Sequence, residues 1–149
     1  MEIVSRVTNQ AGDSVHNEMP DLAEGEDVAD YLRRYADRQL AIVLTPRVMQ
    51  LRRLVIGEVG RFPELAKALF DCGPERAIAA FAATLKRLAD RGLLTIRDPS
   101  VAASQFNWLI MGEPLNRTML LGDDAIPDRA ALRRHAAAGV RVFLASYGM

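Results

Sequence analysis

Prolines set the plan of this chain. Pro46, Pro63, Pro74, Pro99 and Pro127 each stand at the head of a stretch whose apolar residues recur every three or four positions. Proline has no amide hydrogen and a fixed φ, so a helix accepts it in the first turn and resists it further in. Two of these prolines follow a residue suited to N-capping, in Thr45-Pro46 and Asp98-Pro99. Strict alternation of apolar and polar residues, the mark of a strand, is missing. Alanine, leucine and arginine are abundant, and all three favour helices. The expected fold is all-α, a single-domain bundle of six or seven helices.

Residues 1–9 read as the tail of a helix, with Ile3, Val4 and Val7 on one side. Residues 10–26, with Gly12, Pro20 and Gly25, read as a loop, so residues 1–26 stand apart from a domain over 27–149. Asp27 is the expected N-cap of the first firm helix, whose face carries Val28, Tyr31, Leu32, Tyr35, Gln39, Ile42 and Val43. A second helix over 46–60 is apolar most of the way round, which predicts a central, buried position. A short helix over 63–72 follows, and Gly73-Pro74 is expected to end it and open the next. Residues 75–91 are the most clearly amphipathic, with Ile78, Phe81, Ala82, Leu85 and Leu88 on one face and Gly92 suited to the C′ position. A long helix runs from Pro99 to about residue 121. Gly112-Glu113-Pro114 within it predicts a kink or break. The last helix is expected to open at Pro127 and run to about Ser146. These two final helices carry more apolar surface than one-sided packing uses, which predicts a subunit interface.

A length of 149 residues fits one domain with a sizeable core. Nineteen basic residues balance nineteen acidic ones, without the excess expected of a nucleic-acid-binding domain. Cys72 is alone, so no disulfide forms within the chain; a reducing cytoplasmic setting is expected. Neither a signal peptide nor a membrane-spanning run is read in the sequence.

Catalytic constellations are not found, and neither catalytic residues, metal ligands nor a cofactor are expected. Gly57 and Gly60 lie in a helical pattern and follow no strand, so they are not a phosphate loop. His16 and His135 are far apart; His135 reads as a packing or interface histidine and His16 as a solvated one. Cys72 falls at the end of a short helix, where the dipole disfavours a thiolate. Glu58 sits in an apolar helix and needs a donor if buried, with Arg52, Arg53 or Arg61 in reach; an ion pair or a solvent-facing position is the preferred reading. Asn107 lies between Phe106 and Trp108 on the long helix. Apolar walls with sparse polar groups are the usual make-up of a small-molecule pocket.

The ordered run Leu54-Val55-Ile56-Gly57-Glu58-Val59-Gly60-Arg61-Phe62-Pro63-Glu64-Leu65-Ala66, with Gly73-Pro74 after it, resembles the middle of TetR-family C-terminal domains. Asp98-Pro99 to Gly122 is similar to that family's eighth helix, and Pro127 to Tyr147 to its ninth. The resemblance covers about residues 27–147. It implies an all-helical sensor that dimerises through its last two helices and encloses a small apolar or amphipathic effector. The pocket candidates are Met49, Glu58, Phe62, Phe70, Phe81, Asn107, Trp108 and Met111. The dimer candidates are Phe106, Ile110, Arg117, Leu121, Leu132, His135, Val142 and Phe143. Family members open with a three-helix DNA-reading module. Residues 1–9 resemble the end of the helix that follows it, so DNA is an expected partner only through a module missing here. A transcription regulator, not an enzyme, is the expected function. The alternative is a stand-alone helical protein that pairs with a full-length regulator.

Overall fold

The computed structural model describes residues 21–149, together with Glu2 and Arg6, which are helical and exposed. The helix-tail reading of residues 1–9 otherwise lies outside the described residues, as does His16. Six α-helices follow: α1 (Val28–Val43), α2 (Pro46–Gly57), α3 (Pro63–Phe70), α4 (Arg76–Asp90), α5 (Pro99–Leu121) and α6 (Arg129–Tyr147). No strand occurs among the described residues; a lone antiparallel bridge joins Leu94 to Gly148 and holds the C-terminus against the α4–α5 turn. The all-helical expectation is met.

The expected caps form. Asp27 accepts from the Asp30 amide, Thr45 from the Val48 amide at 3.3 Å, and Asp98 from the Ser100 and Val101 amides. Each satisfies a donor that the first helical turn leaves free. Gly92, at φ +76°, ends α4; the Leu93 amide reaches back to the Leu88 carbonyl at 3.0 Å, closing a Schellman turn that favours glycine.

Three local expectations need correction. Gly73-Pro74 does not separate two helices: residues Asp71–Glu75 form a π-helical turn that carries α3 directly into α4. Cys72 therefore sits within a continuous helical run and not at a helix end. The last helix begins at Arg129 instead of Pro127, because Asp128 supplies the cap by accepting from the Ala131 amide at 2.8 Å. Pro114 does not break α5, which is helical throughout Pro99–Leu121.

The core is built between α1, α4, α5 and α6. α1 packs against α6, α4 against α5, and α5 against α6. An aromatic chain runs through it: Tyr35 stacks on Phe81 with centroids 4.4 Å apart, Phe81 meets Phe106 at 4.5 Å, and Phe106 meets Phe143 edge-on at 5.2 Å. Such pairs favour offset and edge geometries because of the ring quadrupole. Gly139 of α6 lets the backbones close up, since a Cβ there would stand 2.6 Å from the Ile110 side chain.

α2 departs most from its expected place. It is peripheral, with only Met49 and Val55 buried, and it ends at Gly57. Val55 and Ala68 form a second small cluster with Leu51, Leu65, Ala66 and Leu69, apart from the main core. Leu54, Ile56, Val59, Phe62 and Phe70 remain exposed around it. α2 is tethered to α5 by Arg53, which reaches the Thr118 carbonyl at 3.1 Å and the Asp123 carboxylate at 2.6 Å.

Candidate functional site

Four polar residues are buried among the described residues: Gln39, Thr84, Asn107 and Thr118. Two of them meet. Gln39 on α1 donates from Nε2 to Asn107 Oδ1 on α5, at 2.7 Å. Both belong to helix faces that are otherwise apolar, so the pair is lodged between the two elements that the core brings together. The amides border a narrow gap whose walls are Tyr35, Ala77, Ile78, Phe81, Ala103 and Phe106. The gap is about 10 Å³, close to what a single water needs. Three helices, α1, α4 and α5, contribute to it.

Polar satisfaction at this point is incomplete. Gln39 is 7% exposed, and its Oε1 has no hydrogen-bond partner among the described residues. A buried amide oxygen without a donor costs about 1–3 kcal/mol. Burial pushes the Tyr35 phenol well above its ordinary range, so it remains neutral. No carboxylate, guanidinium or ammonium lines the gap. The site is thus aromatic and uncharged, with the amide pair and the Tyr35 phenol as its polar groups.

Of the residues proposed from sequence, Phe81 and Asn107 are brought together here. Met49 and Met111 are buried in the core without lining this gap. Phe62 is 42% exposed, Phe70 54% and Trp108 43%. These three face away because α2–α3 is peripheral and because Asn107, not its neighbour, points inward from α5. Glu58 caps the end of α2 and is only half-buried. Arg53, one of its expected partners, turns to Asp123, and Arg61 lies over the Phe62 ring. Gln39 was placed on the right face by periodicity but not singled out. The usable signal was an amide on an apolar stripe.

The comparisons with known proteins bear on this arrangement. Residues 30–149 match the family described as AefR-like transcriptional repressor, C-terminal domain. The chain belongs to the TetR family. A protein from Mesorhizobium loti described as a TetR-family transcriptional regulator superposes with a TM-score of 0.92 at 33% identity, over 99% of this chain and 73% of that one. The flavonoid-responsive regulator FrrA gives 0.74 at 27% identity, over 97% of this chain and 72% of its own. A TetR transcriptional regulator from Agrobacterium tumefaciens shares the fold, with a TM-score of 0.72 at 22% identity over 99% of this chain and 71% of that one. Comparison with curated proteins finds no match. The described TetR-family domain thus has the helical architecture of a regulator's C-terminal domain. None of its described helices is long and apolar enough to cross a membrane.

Within this TetR-family domain the proposed dimer residues divide sharply. Phe106, Ile110, Leu132 and Phe143 are 3% exposed or less and are consumed by the protomer's own core. Their side chains are not available to a second subunit. Leu121 and Val142, at 69% and 52%, are exposed, as are Leu120, Val101 and Trp108. Arg117 is exposed and paired with Glu113 at 2.6 Å. His135 is half-buried against the Ile110 carbonyl, at 2.8 Å.

Proposed function

We propose that this domain is the effector-binding and dimerisation part of a TetR-family transcription regulator, with the effector entering between α1, α4 and α5. The observation that carries the reading is the Gln39–Asn107 amide pair, held in an aromatic wall with one buried oxygen unsatisfied. In a domain of this family, a polar anchor inside apolar walls has the make-up of a small-molecule site. The gap is small, so a ligand has to favour a conformation in which α4 stands further from α1. A ligand binding that conformation better shifts its population, and the shift passes to a DNA-reading module through the packed helices. The exposed apolar residues of α5 and α6 supply the homodimer face, built on Trp108, Leu121 and Val142.

FrrA, similar over nearly the whole described chain, is flavonoid-responsive. Flavonoids are therefore the first compounds to test. Thermal unfolding of the full chain is expected to shift upward with at least one compound, since a ligand held at about 100-fold its Kd adds ~2.7 kcal/mol. Ala77 lines the gap and is half-buried, so Ala77→Phe is expected to overfill it and abolish the shift, read against that variant's own unliganded transition. A shift that survives Ala77→Phe would refute binding at this site.

A further inference from the structure

The chemistry of the gap says more than that something binds there. Resting on the effector reading above, we infer that the effector is an uncharged aromatic molecule bearing a hydroxyl group, and that the hydroxyl is read by Gln39 and Asn107. Each amide carries one carbonyl and one NH2. One N–H···O contact, Gln39 Nε2 to Asn107 Oδ1, uses one of each and leaves a carbonyl on Gln39 and an amino group on Asn107. Reversing both amides swaps the residues but leaves the same pair of functions, one acceptor and one donor. A hydroxyl both donates and accepts, so it completes the pair in either orientation. A carboxylate only accepts, would leave the Gln39 carbonyl unsatisfied, and meets no cation among the lining residues. Tyr35, Phe81 and Phe106 pack on one another with centroids 4.4–6.3 Å apart, so a guest enters only as α4 moves off, and the surfaces then offered to it are ring faces and edges that suit an aromatic molecule.

The test compares naphthol, methoxynaphthalene, naphthalene and naphthoate by calorimetric titration of the full chain. Methylation removes the donor and retains the ring. A site built to hydrogen-bond a hydroxyl discriminates strongly against an analogue without it, because its own buried groups are left unpaired. Naphthol is expected to bind at least ~10-fold more tightly than methoxynaphthalene. In Gln39→Met, and independently in Asn107→Leu, that ratio is expected to fall to near one while naphthalene still binds. Folding of each variant is checked by its thermal transition, and either one suffices. Equal affinity for naphthol and its ether in the unmodified chain overturns the inference. So does a preference for naphthoate, or a ratio unchanged in a folded variant. If none of the four binds but another compound gives the Ala77-sensitive shift, the aromatic hydroxyl fails and the effector reading stands. If no compound binds at all, the effector reading itself fails, and this inference with it.

Discussion

His135 and Pro114 belong to different helices and are joined through one carbonyl. Pro114 has no amide hydrogen, so the Ile110 carbonyl lacks its intrahelical donor. The imidazole Nε2 of His135 stands 2.8 Å from that oxygen. A carbonyl only accepts, so this nitrogen carries the hydrogen. Ile110 is fully buried, and its orphaned oxygen has no alternative in water. His135→Ala is expected to lower unfolding stability by about 1–3 kcal/mol in urea denaturation. Pro114→Ala restores the backbone donor, so the histidine substitution should cost less in that background. Additive effects in the double-mutant cycle would show that the two are not coupled. Both residues stood out in the sequence, one as a helix interruption and one as a packing histidine. Their connection did not, because it depends on how α6 is placed against α5. A second residue-scale effect concerns Asp123. Its hydrogen bond from Arg53 holds the carboxyl below its ordinary value of 3.8, against the opposing pull of desolvation. A carboxyl depressed in the fold stabilises it above the unfolded value, and that contribution is lost as pH falls through the folded one. Thermal transitions should therefore drop below about pH 4, and Asp123→Asn should show a smaller drop than the unmodified chain.

At the scale of the helices, two continuities and one displacement separate the structure from its sequence pattern. α3 and α4 are one helical run through a π turn at Asp71–Glu75. A π turn absorbs an extra residue without ending the helix, and Gly73-Pro74 reads locally as a break. α5 stays helical across Pro114 because α6 supplies the missing donor. α2 has the apolar circumference of a central helix and yet lies at the edge, with its Leu54 and Ile56 exposed, as is Val59 just past its end. Periodicity reports which faces are apolar; it does not report which face finds a neighbour. The α5–α6 contact is narrower in its tolerance. Gly139 sits against the Ile110 side chain, with the Leu109 carbonyl 3.6 Å from where a Cβ would stand. Gly139→Val is expected to force these helices apart at a cost of about 1–3 kcal/mol, measured by chemical denaturation. An unchanged midpoint would mean the helices have room that the structure does not show.

In the whole molecule, one aromatic chain ties four helices together and also walls the candidate site. Phe106 touches Tyr35, Phe81 and Phe143, from α1, α4 and α6, while lying on α5. Phe106→Ala is expected to cost about 3–5 kcal/mol, since it removes a buried ring and leaves a cavity. The same central position makes the site sensitive to helix spacing, which is what a ligand-driven switch needs. On the outside, α5 and α6 leave Trp108, Leu121 and Val142 exposed. Light scattering at micromolar concentration should give a dimer mass. Val142→Asp, on the exposed face, should lower that mass toward the monomer while leaving helicity unchanged. A monomer for the unmodified chain would remove the dimer proposal.

The sequence by itself determined the helices, most of their ends and the family. Caps, prolines and apolar spacing act within a few residues, so Asp27, Thr45, Asp98 and Gly92 do locally what their chemistry prescribes. It also placed Phe81 on the apolar face of its helix and named Asn107 as a candidate polar contact. What it did not determine was which inward faces meet. Phe106 and Phe143 look from the sequence like surplus for a partner, and the packing of α5 on α6 uses them within one chain. Gln39 looks like one polar residue on a helix, and only the approach of α1 to α5 makes it half of a buried amide pair. Burial and pairing are relations between elements distant in sequence, set by how the helices fill one core. The Gln39–Asn107 site exists only at that level.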